Sequence, residues 1–138
     1  MTKKELKEQE KDNRAKEQAR SQLNSITERV ETLKKAEEKE NYNAIEEARQ
    51  AIEEDALSVE VCTDWHAPGS EDNKPTEYRI LLCWGGTACQ IVGALSHGQP
   101  ETATIQYQDW FTEWTCLEPE EGEEEIMLEY ARCFFSWV

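Results

Sequence analysis

The side chains in this sequence with the chemistry to hold a metal or open a covalent reaction are five cysteines and two histidines: Cys62, Cys83, Cys89, Cys116, Cys133, His66 and His97. Zinc takes thiolate sulfur and imidazole nitrogen, so Cys62-x-x-x-His66 and Cys83-x5-Cys89, joined by His97, are the ligands a metal would use. Their spacings match no common zinc module. A nucleophilic cysteine needs an oriented base, and Cys89 with His97 is the pair considered for that role. No glycine-rich phosphate loop, nucleophile elbow or His-Glu-x-x-His accompanies them. The expectation is therefore a protein with no catalytic residue, no metal and no cofactor. An odd number of cysteines without a Cys-x-x-Cys, several inside apolar runs such as Leu81-Leu82-Cys83-Trp84, suits reduced thiols acting as small core hydrophobes.

Carboxylates are the second chemistry, and here the sequence departs from the ordinary. Of its 138 residues 30 are Asp or Glu and only 15 are Lys or Arg, a formal net charge of -15. The imbalance is local. Residues 1–57 hold 12 basic against 15 acidic residues, whereas residues 58–138 hold Lys74, Arg79 and Arg132 against 15 acids, a net of -12. Six of the eight residues from Glu118 to Glu125 are glutamate. Solubility and the helix macrodipole, which favours acids in a first turn, account for some of that run. The functional reading is an array of carboxylates that competes for a groove built to neutralise phosphates. The same charge disfavours direct binding of DNA or RNA. The residues expected at such a surface are Glu118, Glu120, Glu121, Glu123, Glu124 and Glu125, together with Asp109, Glu113 and Trp110. Trp110 belongs to an aromatic segment, Asp109-Trp110-Phe111-Thr112-Glu113-Trp114, that reads as sheet-edge cover or as an interface anchor.

The elements that position these groups follow from periodicity. Residues 1–57 contain no Gly or Pro and are rich in strong helix formers. Ala15, Ala19, Leu23, Ile26, Val30 and Leu33 fall at spacings of three and four, which predicts one long amphipathic helix from about Lys4 to Glu38. A break at Glu40–Asn43, with Asn43 and Glu46 resembling a capping box, precedes a second helix carrying Ile45, Ala48, Ile52 and Ala56. So narrow a stripe needs a partner helix, either the chain's own neighbour or a second copy of the chain. Leu23, Ile26, Val30 and Leu33 are the expected dimer contacts if that partner is a second copy.

From Ser58 the pattern becomes β. Strands are predicted over 58–64, 77–84, 87–95 and 102–107, with turns at Gly85-Gly86 and Ser96–Pro100. A final helix follows Gly122, with Ile126, Tyr130, Cys133 or Phe134, and Trp137 as its apolar stripe. The expected fold class is α+β: an N-terminal helical pair, a four-stranded antiparallel meander and a C-terminal helix packed on the sheet. The expected division is a helical arm, 1–57, and an acidic α+β domain, 58–138. No apolar run approaches the roughly 18 residues that would span a bilayer, and no secretory signal opens the chain, so a cytoplasmic location is expected.

The stretches Lys74–Gly86, Gln90–Gly93, Tyr107–Phe111 and Tyr130–Phe134 resemble a group of small proteins encoded by bacteriophages and prophages, a group without an established active site. The resemblance covers about the last two-thirds of the chain and carries no residue roles. It implies a phage setting and a host-cell cytoplasm. Inhibitors of CRISPR effectors and restriction enzymes are often small, acidic and non-enzymatic, so an inhibitor of a host nucleic-acid-binding defence complex is the expected function, by analogy of size and charge. The alternative is a non-inhibitory assembly protein that dimerises through residues 15–33.

Overall fold

A computed structural model describes residues 2–70, 74–109 and 112–135, with the backbone alone for residues 8–12. Helix α1 runs Lys3–Glu38. The Thr2 hydroxyl accepts from the Glu5 N–H at 3.2 Å while the Glu5 carboxylate accepts from the Thr2 N–H at 3.1 Å, a reciprocal cap that satisfies two otherwise orphaned donors. The helix stops where Glu40 turns into the left-handed region at φ 51°. The next cap is Asn41, whose side chain accepts from the Ala44 N–H at 3.2 Å, and α2 spans Tyr42–Asp55. The cap thus lies two residues before the expected Asn43, which sits inside α2.

The sheet is antiparallel throughout, with strand order β1-β2-β3-β5-β6. Its long strands are β1 (Ser58–Cys62), β2 (Glu77–Cys83), β3 (Thr87–Ser96) and β5 (Thr104–Asp109). They run as the expected antiparallel meander, but the sheet has six strands where four are expected. Two strands of two residues each enlarge it: β4 (Gln99–Pro100) folds back on β3, and β6 (Thr115–Cys116) adds to β5. His97 and Gly98, both at positive φ, make the tight β3–β4 turn whose twist matches that of the strands. Helix α3 is Glu123–Arg132.

Pleating sorts each strand into two faces. Tyr78, Ile80, Cys89, Ile91, Ile105 and Tyr107 point inward and are buried. α1 lies against β3 and β5 on this face, with α2 and α3 packed beside it. Ala15, Ala19, Leu23, Ile26, Val30 and Leu33 are all buried, and they belong to one hydrophobic cluster with Ile52, the inward sheet residues and Tyr130. This changes two expectations. The α1 stripe, including Leu23, Ile26, Val30 and Leu33, is covered by the chain's own sheet and helices, so these side chains are not available as a dimer seam. The helical segment also shares one core with residues 58–138 instead of standing apart as an arm.

The expected stripe on α3 is also rotated. Met127, Leu128, Tyr130 and Ala131 are buried, Ile126 and Cys133 are half-buried, and Trp137 lies outside the described residues. α3 packs between α1 and β4, so it needs a broader apolar face than one sheet contact would require. Tyr130 ties the three helices together. Its hydroxyl donates to the Asp55 carboxylate at 2.7 Å, and Asp55 in turn meets Arg29 of α1 at 3.3 Å. Burial, then the Asp55 carboxylate, pushes the Tyr130 phenol well above its ordinary value. Among the described residues no helix is long and apolar enough to cross a membrane.

Gly93 shows how closely the sheet is built. Its register partner Tyr78 lies across it and donates its hydroxyl to the Thr102 carbonyl at 2.7 Å. A methyl at Gly93 would overlap that carbonyl and sit 2.8 Å from the Tyr78 ring. Gly93→Ala is therefore expected to destabilise the fold by about 1–3 kcal/mol, as overpacking does, and urea denaturation followed by tryptophan fluorescence measures it.

Candidate interaction surface

The glutamate run is held in place by one residue of α1. Arg20 Nη1 donates to both carboxylate oxygens of Glu123, at 2.6 and 2.9 Å, and Nη2 reaches the Glu118 carbonyl at 3.5 Å. The same Glu123 carboxylate accepts from the Glu120 N–H at 2.6 Å, closing the turn through Gly122, which is left-handed at φ 84° and brings no side-chain cap of its own. Glu123, Glu124 and Glu125 make the acidic first turn of α3, where the helix dipole favours them. Glu123 is thus a scaffold residue. Desolvation works to raise its pKa, but the Glu120 N–H and the Arg20 guanidinium outweigh it and hold the carboxyl below its usual range.

A depressed folded-state pKa adds stability that is present above the unfolded carboxylate value, about 4.3, and is lost as pH falls through the folded value. Arg20→Met is accordingly expected to cost about 1 kcal/mol at neutral pH, with the deficit shrinking below about pH 4. Denaturation midpoints of the two proteins across that pH range check it.

The rest of the run faces water. Glu118, Glu120, Glu121, Glu124 and Glu125 are exposed, and among the described residues none of them has an ion pair. Glu113, in the connection from β5 to β6, is exposed as well. Asp109 is not part of this surface: it is buried at the end of β5, on the inward face opposite Thr87, and its N–H donates to the Thr112 hydroxyl at 3.0 Å. Trp110 lies outside the described residues.

The outer face of the sheet carries a second feature, which the sequence reading did not single out. No helix covers it. Glu60 and Arg79 pair across β1 and β2 at 2.8 Å, and Leu81 stands opposite Gln90 on β3. Gln90 donates to Gln106 of β5 at 2.9 Å. Glu60, Arg79, Leu81 and Gln90, with Trp84, Gln108 and Trp114, line a groove of about 410 Å³, and Trp84 exposes 69% of its surface. The arrangement offers apolar ring surface around a polar amide floor, the composition of a protein-contact anchor. Its signal is the alternation Gln106-x-Gln108 in β5, which keeps amides on one side of an otherwise apolar strand.

The metal and catalytic candidates are dispersed. Cys62 ends β1, where its thiol donates to the Glu77 carboxylate at 3.2 Å, and that contact raises its pKa. Among the described residues His66 bonds to neighbouring loop atoms of Ala67 and Ser70. Cys83 lies at the far end of β2 from Glu77, about 20 Å along the strand at ~3.3 Å per residue. Cys89 is buried on the inward face, and His97 is exposed in the turn beyond the end of β3, about 25 Å away by the same rise. Cys89 and His97 are therefore not a catalytic pair. Among the described residues no three His, Cys, Asp or Glu side chains gather as a metal site.

Compared with family models, curated proteins and solved structures, the chain matches none. Its reading rests on the geometry above.

Proposed function

We propose that the chain is a non-enzymatic binding protein that blocks a basic, nucleic-acid-binding surface on a host defence complex, such as a CRISPR effector or a restriction enzyme. The observation that carries this reading is the set of five exposed carboxylates, Glu118, Glu120, Glu121, Glu124 and Glu125, displayed on a turn that Arg20 and Glu123 fasten to the packed core. Charge held on an ordered scaffold loses less entropy on binding than charge on a tail. The overall excess, -12 over residues 58–138, steers a basic partner toward it. The groove beside Trp84 and Trp114 supplies the apolar contact that electrostatics alone does not. Partner binding replaces nucleic acid there by protein–protein contact, with no reaction and no cofactor.

The experiment is capture of host proteins on the immobilised full chain, followed by a salt titration of the captured partner. The reading predicts a nucleic-acid-binding protein that is held at low ionic strength and released by moderate salt, since exposed charges are screened beyond about 8 Å at 0.15 M. A partner with no nucleic-acid-binding surface, or one retained equally at all salt concentrations, contradicts it.

A further inference from the structure

Two nucleophilic groups lie outside the surface described so far. Cys83 and Cys89 flank the Trp84–Ala88 connection and stand opposite one another in the β2–β3 ladder, just past its irregularity at Leu81/Cys83. Opposed residues of an antiparallel pair have Cα atoms about 4.5–5.5 Å apart, inside the range of about 4.4–6.8 Å that a disulfide spans. Both are free thiols. Cys89 is buried while Cys83 is half-buried, so a small reagent reaches Cys83 first.

The geometry points to a reversible modification site: Cys83 and Cys89 form a cross-strand dithiol that a peroxide oxidises to a disulfide. The Cys83 thiolate attacks one oxygen of hydrogen peroxide, the O–O bond breaks, hydroxide leaves, and Cys83 becomes a sulfenic acid. The Cys89 sulfur then attacks the Cys83 sulfur. The S–S bond forms, the S–O bond breaks, and the hydroxyl departs as water with the Cys89 proton. The hydroxide and the proton lost by Cys83 make the second water. Two thiols give up two electrons, and one peroxide is reduced to two waters.

The local electrostatics divide these roles. The Cys89 thiol, and then its backbone N–H, stabilise the Cys83 thiolate against burial and hold the Cys83 thiol below its ordinary value. The same contact, then burial, pushes Cys89 far up. Thiolate is the attacking species, so Cys83 is the readier nucleophile and Cys89 resolves. Cys62 and Cys133 shift the other way, through the Glu77 contact and through burial respectively. A bridge here would clamp the hairpin that carries Trp84 of the outer-face groove.

The test uses the full chain with Cys62, Cys116 and Cys133 replaced by serine. Hydrogen peroxide is added at a dose that consumes an equal concentration of free cysteine, and alkylatable thiols are counted by intact mass after denaturation. Both thiols are expected to vanish together in the monomer and to return with dithiothreitol, while Cys89→Ser in the same background accumulates a dimedone-reactive sulfenic acid at Cys83. In the unsubstituted protein, Cys83 alkylation followed by peptide mass spectrometry is expected to rise with pH about a midpoint below the ordinary thiol value, which Cys89→Ser moves upward. Two thiols still alkylatable after that dose, oxidation only between molecules, or a Cys83 midpoint at the ordinary thiol value would each overturn the assignment.

Discussion

Replacing Glu118, Glu120, Glu121, Glu124 and Glu125 together by glutamine is expected to weaken binding to the basic partner by about 100-fold at low salt, taking each exposed pair at a few tenths to one kcal/mol. Most of the difference should disappear at high salt, because the lost term is a screened one. The substitutions keep Glu123 and so leave the Arg20 tie intact. The mutant should unfold at the same denaturant concentration as the parent, or slightly higher once like-charge repulsion is relieved. Affinities measured at two salt concentrations separate the outcomes. An unchanged affinity at low salt means the run serves only solubility and the α3 terminus.

The second large effect concerns the core. Leu23 is fully buried where α1 crosses the sheet, and Leu23→Ala is expected to cost about 2–5 kcal/mol through lost transfer energy and the cavity left behind. That is a substantial part of the roughly 5–15 kcal/mol that stabilises a typical domain. Because α1, α2, α3 and the sheet share one cluster, far-UV circular dichroism and tryptophan fluorescence should move to a lower denaturant midpoint together. The parent should sediment as a monomer whose mass does not change with concentration, since the stripe is already covered. Independent loss of helical signal would mean that residues 1–57 fold as a separate arm. Concentration-dependent association abolished by Leu23→Ala would restore the dimer seam.

Which of these features the sequence disclosed depends on how local their causes are. The α1 stripe, the β2–β3 hairpin and the face shared by Ala103, Ile105 and Tyr107 follow from spacings of three, four and two residues, so they were legible. What covers the α1 stripe was not. A narrow apolar seam has the same pattern whether a second chain or the chain's own sheet lies against it, and the sheet in question begins two dozen residues beyond Leu33. The capping-box pattern of Asn43 with Glu46 points to a cap at Asn43, whereas the left-handed Glu40 ends α1 and leaves Asn41 as the cap. The α3 stripe was read as though it met one surface, whereas α1 and β4 bury two sides of it.

The candidate surface divides in the same way. The exposed acids were visible as composition. The tie that orients them was not, since Arg20 and Glu123 are 103 positions apart and each looks like an ordinary surface charge. Asp109 looked equivalent to Glu113, but the strand pleat turns it inward opposite Thr87. Gln90, Gln106 and Gln108 carry no charge signal, although the alternation of Gln106 and Gln108 in β5 marks the outer side of the sheet.

Competition for the partner's groove tests the central claim most directly. A labelled nucleic acid bound to the isolated partner is titrated with the full chain, and its release is followed by fluorescence anisotropy at low and moderate salt. The account predicts complete displacement at low salt, a rightward shift of the midpoint as salt rises, and an approximately 100-fold weaker competitor when the five exposed glutamates are glutamines. A ternary complex in which nucleic acid and this chain bind together, with neither affected by the other, would contradict it.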